Sequence, residues 1–264
     1  MLCALNIPWM ACPLRLEVHS GPDLVSEHIL KHNIWEPYET MLVLKHLKPG
    51  SVFLDIGANI GYYTVLAGSV VGADGLVIAY EPDAENFQLL EHNIALNGLT
   101  NVRPFRAALG ENSSQGSIYL SRDNKGNHRL FDEGDGRQTS AVEIVHGDEH
   151  VAQLTERLDF IKVDTEGYEA RVLEGLHSMI MANRDHLGMV VEFCPYGLRQ
   201  ARTSGTQLLE DLAEYDLPLF IIDHLAHQLI PARIDELQQW VDEVDADGHN
   251  QGFMNLLVSS LPDI

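Results

Sequence analysis

The stretch Ser51–Thr64, SVFLDIGANIGYYT, decides the fold. It begins with a run of strand-forming apolar residues, breaks at Gly57, and continues after Gly61 with apolar residues at helical spacing. A buried parallel strand that leads into a glycine-rich turn and then a helix is typical of a nucleotide-type cofactor site. Gly57 permits a tight turn with positive φ, and the start of the helix offers free N–H groups to an anionic ligand group.

Two cofactor classes compete for this turn. The spacing of Gly57 and Gly61 does not fit the GxGxxG turn of dinucleotide oxidoreductases, whereas an acid before two glycines at this spacing is typical of S-adenosylmethionine sites. Asp55 would repel a pyrophosphate and attract a cationic ammonium or sulfonium group. An ordinary strand-to-helix turn without a ligand is a third interpretation that this stretch alone leaves open.

Composition and charge limit the function classes. With 264 residues, 45% of them hydrophobic, the chain is long enough for one large α/β domain or two small ones. The formal net charge of −22 argues against a nucleic-acid partner and against docking on an anionic membrane surface. The three cysteines, Cys3, Cys12 and Cys194, form no CxxC pair, which favours a reducing compartment. Since no convincing signal peptide or membrane span is present, we expect a soluble cytoplasmic protein.

Strand patterns alternate with helix patterns along the chain, which predicts an α/β fold with a mostly parallel sheet and helices on both faces. The predicted strands are residues 52–56, 76–80, 102–109, 158–163, 189–193, 219–222 and 253–258. We predict one domain over 1–264, in which 1–48 form an extension of a strand or hairpin and two helices, and 49–264 form the core. Residues 110–150 are an insertion rich in Gly, Asn, Asp and His, with two short strand patterns, for which a surface loop and a substrate lid remain equally open.

An acid stands at the end of the second predicted strand. Glu81 follows the glycine turn by about 20 residues in the sequence. An acid at this sequence separation is placed to accept hydrogen bonds from both ribose hydroxyls. The alternative is an acid that favours the positive end of a helix. Pro82 weakens that alternative, because it restricts Glu81 to extended backbone at the strand tip.

Three motifs together resemble one family. FLDIGANIGYYT, EPDAENF and IKVDTEGYEARVLEG are similar to the FkbM family of S-adenosylmethionine-dependent methyltransferases, and the likeness covers roughly residues 35–195. The resemblance implies a Rossmann-like class I methyltransferase with a seven-stranded sheet, S-adenosyl-L-methionine as cofactor, and O-methylation of a hydroxyl on a sugar, glycan or polyketide-type molecule. It also implies a set of cofactor-binding residues, which are Asp55, Gly57, Ala58, Asn59, Gly61, Glu81, Pro82, Asn86 and Ala107.

A hydroxyl acceptor needs a base that removes its proton as the new bond forms. Asp164 is the first choice, because it follows a central strand, at the sheet edge where open α/β folds place their sites. Glu192 lies inside an apolar strand and needs a partner or a raised pKa. Glu166, which is equally placed to begin a helix, and His128 in the insertion are further candidates. For Lys162 a salt bridge and a catalytic role are equally open, and the other histidines, His19 among them, are expected at the surface.

We expect no metal in the site. Asp164 and Glu192 could supply two oxygen ligands, but the fifth strand does not end in the Asp-Asn pair of metal-dependent catechol methylation. The expected partner is a small-molecule or glycan acceptor. Two other function classes remain open, namely a catalytically silent S-adenosylmethionine-fold binding protein and a nicotinamide-dependent oxidoreductase.

Overall fold

The computed structural model describes residues 1–10, 13–248 and 250–260, so Cys12 lies outside the described residues. Its strands are β1 (Leu2–Ala4), β2 (Arg15–Glu17), β3 (Val52–Ile56), β4 (Leu76–Tyr80), β5 (Val102–Phe105), β6 (Ala108–Gly110), β7 (Ser114–Leu120), β8 (Gln138–His146), β9 (Phe160–Val163), β10 (Gly188–Phe193), β11 (Leu219–Asp223), β12 (Gln228–Ala232) and β13 (Met254–Ser259). Its α-helices are α1 (Leu24–His32), α2 (Pro37–His46), α3 (Tyr62–Val71), α4 (Ala84–Leu96), α5 (Gly147–Val151), α6 (Glu169–Gly175), α7 (His177–Asn183), α8 (Pro195–Gln200), α9 (Gly205–Glu214) and α10 (Ile234–Ala246).

The main sheet contains eight strands among the described residues, in the order β12-β11-β13-β10-β9-β3-β4-β5. The strands β5, β4, β3, β9 and β10 are parallel, whereas β13, β11 and β12 continue the sheet in antiparallel pairs. The predicted α/β class is confirmed. Because the five parallel strands run in one direction, their carboxyl ends meet at one edge, where sites of such sheets lie.

Two features of the sheet differ from the sequence-based prediction. An eighth strand, β12, was not predicted, because its sequence QLIPA contains Pro231 and is largely exposed, as is typical of an edge strand. The predicted strand 102–109 ends at Phe105, and its last residues form β6 in a separate sheet of order β6-β8-β7. The apolar pattern continues through this break, so it could not mark the point at which the chain leaves the main sheet.

The N-terminal segment and the insertion both have regular structure. The strands β1 and β2 pair in antiparallel fashion, which confirms the predicted hairpin, and α1 and α2 correspond to the two predicted helices. The two strand patterns predicted in the insertion form the antiparallel pair β7 and β8. In the part of the chain that the structure describes, every helix is too short or too polar to span a bilayer.

The main sheet buries apolar side chains on both faces. In β3, Leu54 and Ile56 pack on the face that α6, α9 and α10 cover, whereas Phe53 packs on the face that α2, α3 and α4 cover. Lys162 in β9 is opposite Asp55 of β3 and Val190 of β10. A lysine thus occupies a buried row near the carboxyl edge of an otherwise apolar sheet, which requires charged partners.

A close backbone contact at Gly57 yields a stability prediction. Gly57 has a φ of +83°, and a Cβ there would lie directly on the carbonyl oxygen of Asp164, whereas Gly50 has a φ of +84° and open space within 4 Å. We expect Gly50→Ala to lower the free energy of unfolding by about 1 kcal/mol through backbone strain alone. Gly57→Ala should lower it by at least about 3 kcal/mol, because two strand ends must separate. Urea denaturation of the two variants measures the difference, and equal losses would contradict the contact.

Candidate active site

A cavity of about 560 Å³ opens at the carboxyl edge of the central strands. Three segments that are far apart in the sequence form most of its wall. These parts are the glycine turn after β3, the acidic residues after β9 and in β10, and a cover made of α1 and residues 124–130 of the insertion. Most residues for which the sequence analysis predicts a role therefore line this cavity.

The glycine turn is fixed to the neighbouring strand β4. The N–H groups of Gly57 and Ala58 both donate to the carbonyl oxygen of Tyr80, each at 3.0 Å. Asn59 and Gly61 adopt left-handed backbone, with φ values of +51° and +89°. These conformations explain the glycine and asparagine pattern, and they orient the start of α3 toward the cavity.

Glu81 lies beneath this turn, and two backbone hydrogen bonds fix the orientation of its side chain. Its Oε2 accepts from the Asn59 N–H at 2.8 Å, and its Oε1 accepts from the Asp83 N–H at 2.9 Å. The side chain is buried, and burial raises the pKa of Glu81 to about 8 even though both amide hydrogen bonds favour the carboxylate. The residue lines the cavity at the strand tip where the sequence predicts a ribose-binding acid.

Asp55 is buried at the base of the turn. Its Oδ2 accepts a hydrogen bond from the Thr64 hydroxyl at 2.5 Å, and burial raises the pKa of Asp55 to about 6. Thr64 belongs to the first turn of α3, so this bond joins the end of β3 to the helix that follows. The acid lines the cavity as predicted.

Asn86 connects the cavity wall to the insertion. Its Nδ2 donates to the carbonyl oxygen of Lys125 at 3.1 Å, and its Oδ1 lies 2.8 Å from Nε2 of His19. His19 is buried, so the expectation of a surface position was wrong. Pro82 and Ala107 also line the cavity, so eight of the nine residues of the predicted cofactor set line it, and the ninth, Gly61, directly precedes α3 beside them.

One carboxylate ties the insertion to the N-terminal helix. Asp23 caps α1 by accepting from the Ser26 N–H through Oδ2, and its Oδ1 accepts from the Lys125 N–H at 2.8 Å. A Cβ on Gly126 would lie 3.2 Å from Val25 and 3.3 Å from Asn59. This part of the insertion therefore covers the side of the cavity that contains the glycine turn.

His128 lines the cavity and contacts the insertion and the start of α4. Its Nδ1 accepts from the Ser121 N–H at 3.0 Å, and its Nε2 is 4.0 Å from Oδ1 of Asp83, at the start of α4. Burial lowers the pKa of His128. The ring therefore stands near Asp83, between the tip of β4 and the start of α4.

Asp164, Glu166 and Glu192, here called the acid triad, lie together at the ends of β9 and β10, across β3 from Glu81 at the tip of β4. Each offers a carboxylate oxygen within 4.8 Å of the others. The pairing of Val163 with Val191 brings Asp164 and Glu192 side by side at the strand ends. Glu166 has a φ of +54°, and burial together with Asp164 raises its pKa to about 8. Burial and Glu166 raise the pKa of Glu192 well above its usual value.

Lys162 is the cation nearest to this triad. Its Nζ donates to Oδ2 of Asp164 at 2.6 Å, lies 3.7 Å from Oε1 of Glu39, and stands 4.8 Å from the ring centre of Tyr63. Burial opposes the charge, but the two carboxylates outweigh it and raise the pKa of Lys162. Of the two interpretations left open by the sequence, the geometry favours the salt bridge.

Glu39 is a site residue that the sequence interpretation missed. It is fully buried, and it accepts hydrogen bonds from Asn255 Nδ2 at 2.6 Å and from the Tyr63 hydroxyl at 3.2 Å. A signal was present, because Glu39, Leu42 and Val43 share one helix face at i, i+3 and i+4 spacing. An acid on the apolar face of a helix indicates a buried partner of opposite charge.

The chain is similar to known methyltransferases. The family model described as Methyltransferase FkbM domain matches residues 55–217. "Methyltransferase 1" of Beauveria bassiana is 25% identical over 164 residues, which are 54% of this chain and 65% of that protein. "Hexuronic acid methyltransferase AglP" of Haloferax volcanii is 28% identical over 145 residues, which are 53% of this chain and 56% of that protein. The chain thus spans less than two thirds of either relative's length.

A solved structure of a Methyltransferase FkbM from Methylobacillus flagellatus KT is also similar. It is 17% identical with a TM-score of 0.47, and the match covers 79% of this chain and 43% of the other.

The raised pKa of Glu81 predicts pH-dependent cofactor binding. In the predicted ribose-binding role, the carboxylate form would accept hydrogen bonds from two hydroxyls, and with a pKa of about 8 this form becomes dominant only as the pH rises. We expect the dissociation constant of S-adenosylhomocysteine to fall by about fivefold to tenfold between pH 6.5 and 9.5. Titration calorimetry across this range measures the change.

Glu81→Gln is the matched control, because it keeps the shape and removes the titrating group. It should weaken binding by about tenfold at high pH and remove the dependence assigned to Glu81. A variant that keeps the full pH dependence would exclude Glu81 as its source.

Proposed function

The chain belongs to the FkbM family of methyltransferases, and we propose that it transfers the methyl group of S-adenosylmethionine to a hydroxyl of a sugar-type acceptor. One observation carries this proposal. A single cavity has an oriented ribose-type acid, Glu81, on one side and the acid triad on the other, at the carboxyl edge of the central strands.

The residues on the first side suit this cofactor. Glu81 is oriented by two backbone amides and presents a carboxylate for two hydroxyls. Asn59 has a buried Oδ1 without a hydrogen-bond partner among the described residues, and it lines the same cavity. A buried acceptor without a partner is costly unless a ligand supplies a donor. Asp55 adds a negative group beneath the turn, which favours a cationic ligand.

On the second side, the chain's own groups orient the acceptor and remove a proton. The bound cofactor supplies an electrophilic methyl group. The acceptor oxygen forms the new bond to carbon as the carbon–sulfur bond breaks, and a carboxylate of the acid triad takes the hydroxyl proton. We assign that proton to Asp164 first, because Lys162 and the strand end hold this side chain in place.

The sugar-type acceptor is supported by one relative. The similar protein of Haloferax volcanii is a hexuronic acid methyltransferase. Aromatic residues that line this cavity, such as Trp35, Tyr168 and Phe253, offer surfaces on which a sugar ring can pack. A mass-spectrometric screen for the gain of one methyl group across sugars, glycans and polyketide-type hydroxyl compounds tests the proposal. Methyl gain on none of these classes would contradict it.

The assignment of the base predicts a kinetic phenotype. Asp164→Asn should lower saturated turnover by roughly 10²–10⁴-fold, because a base acts in the transition state. The dissociation constant of the cofactor should change little. Single-turnover measurements with labelled S-adenosylmethionine, together with calorimetry, separate the two effects.

Asp164→Asn also removes a partner of Lys162, so matched variants are needed. Glu166→Gln and Glu192→Gln leave the bond between Lys162 and Asp164 intact. If Asp164 is the base, both should keep more turnover than Asp164→Asn at equal thermal stability. Near-normal turnover of Asp164→Asn would move the base to another residue.

A further inference from the structure

We propose that the acid triad is a binding site for one divalent cation of the hard, oxygen-preferring type, such as Ca²⁺, Mn²⁺ or Mg²⁺. The three side chains come from two adjacent strand ends and the turn that follows one of them, and all three line the cavity. This proposal departs from the metal-free site expected from the sequence. That expectation counted only Asp164 and Glu192, and it did not foresee that the turn would bring Glu166 beside them.

The spacing of the oxygens suits such an ion. Three carboxylate oxygens lie within 4.8 Å of one another. Two ligands on opposite sides of Ca²⁺, each at about 2.4 Å, are about 4.8 Å apart, and the corresponding span for Mg²⁺ is about 4.2 Å. Three oxygens at most 4.8 Å apart can therefore converge on one ion through small side-chain rotations, and they leave its remaining positions open to water or to acceptor hydroxyls.

The charges of the triad are not balanced by the side chains around it. Lys162 donates to Asp164 alone within this group, at 2.6 Å. Arg129 and Arg137 also approach Glu166, but Arg129 forms an ion pair with Glu133 and Arg137 with Asp135. Among the described residues, Glu166 receives one hydrogen bond, a neutral one from Asn127 Nδ2 at 3.3 Å. Carboxylates this close repel one another unless a cation or protons intervene.

Glu192 supplies an independent observation that indicates a ligand. Its Oε2 is buried and has no hydrogen-bond partner among the described residues. The side chain stands in β10, between apolar residues, and the surface that it retains belongs to the cavity wall. Leaving a carboxylate oxygen buried and unpartnered costs free energy, whereas coordination of a cation inside the cavity would satisfy this atom.

A cation at this position has a chemical consequence for the reaction. Bound to the acceptor hydroxyl, it would lower the pKa of that group and orient its oxygen, so that proton loss becomes easier. This consequence rests on the proposed function. Cation binding itself does not, because it can be measured without cofactor, acceptor or turnover.

The test uses the full chain after treatment with a chelator. Mn²⁺ is titrated and the signal of the free ion is followed by electron paramagnetic resonance. We expect one Mn²⁺ per wild-type chain and at least about tenfold weaker binding by Glu166→Gln and by Glu192→Gln, since each removes one charged ligand. Glu174→Gln, which changes an exposed acid on α6, is the matched control and should bind as the wild type does.

Thermal melting keeps the test decisive if a variant binds poorly for other reasons. Mg²⁺ or Ca²⁺ should raise the melting temperature of the wild type, because a ligand of the native state stabilises it. Without cation, Glu192→Gln should melt no lower than the wild type, since it removes a crowded buried charge, and added cation should raise its melting temperature less than that of the wild type. A wild type that binds no Mn²⁺, or triad variants that bind Mn²⁺ as the wild type does, would overturn the proposal.

Loss of S-adenosylhomocysteine affinity in the triad variants, with no Mn²⁺ binding by the wild type, would assign the triad to the cationic groups of the cofactor and would also overturn it. Methyl transfer that fails with every acceptor while Mn²⁺ binding follows the expected pattern would contradict the proposed function and leave the cation site in place.

Discussion

The ammonium group of Lys162 is the interaction on which the carboxyl edge of the sheet depends. A buried lysine must be paired, and here its partners come from different parts of the chain, with Asp164 after β9 and Glu39 in α2. Removing one partner of such a pair typically costs about 3–5 kcal/mol, because a buried charge is left uncompensated. The pair therefore ties α2 to the carboxyl end of β9. Asn255 extends the contact to the last strand, so three distant segments meet around one charge.

The same edge of the sheet carries more acidic than basic side chains, and this excess of negative groups favours particular ligands. Asp55, Glu81 and Glu166 all have a raised pKa, and burial is the main cause in each case. A structure optimised only for stability would place apolar residues there. A cavity with this many buried carboxylates instead suits ligands that bring positive charge, and the sulfonium and ammonium groups of S-adenosylmethionine are such groups.

The sequence predicted the parts of the site that follow local rules. The turn after β3, the acid at the tip of β4 and the acids after β9 were found because strand ends and glycine turns leave short-range signals. Glu39 was missed because its partners Lys162 and Asn255 lie far along the chain, and the eighth strand because Pro231 and exposed residues obscure its strand pattern. His128 was grouped with the catalytic acids because the sequence does not indicate how an insertion folds back, and the structure instead places it beside Asp83.

Asp23 couples the cover of the cavity to the stability of α1, because its carboxylate accepts hydrogen bonds from both. One carboxylate both caps α1 and holds the backbone of the insertion at Lys125. A capping bond contributes about 0.5–2 kcal/mol to its helix. When the insertion lifts, Asp23 loses the hydrogen bond from Lys125 but keeps the one from Ser26 that caps α1. Fraying of the helix start, in contrast, releases both. The insertion can therefore lift while α1 stays capped, so hydrogen exchange at the Lys125 N–H would report on how often the cavity opens, whereas exchange at Ser26 would report on fraying of the helix.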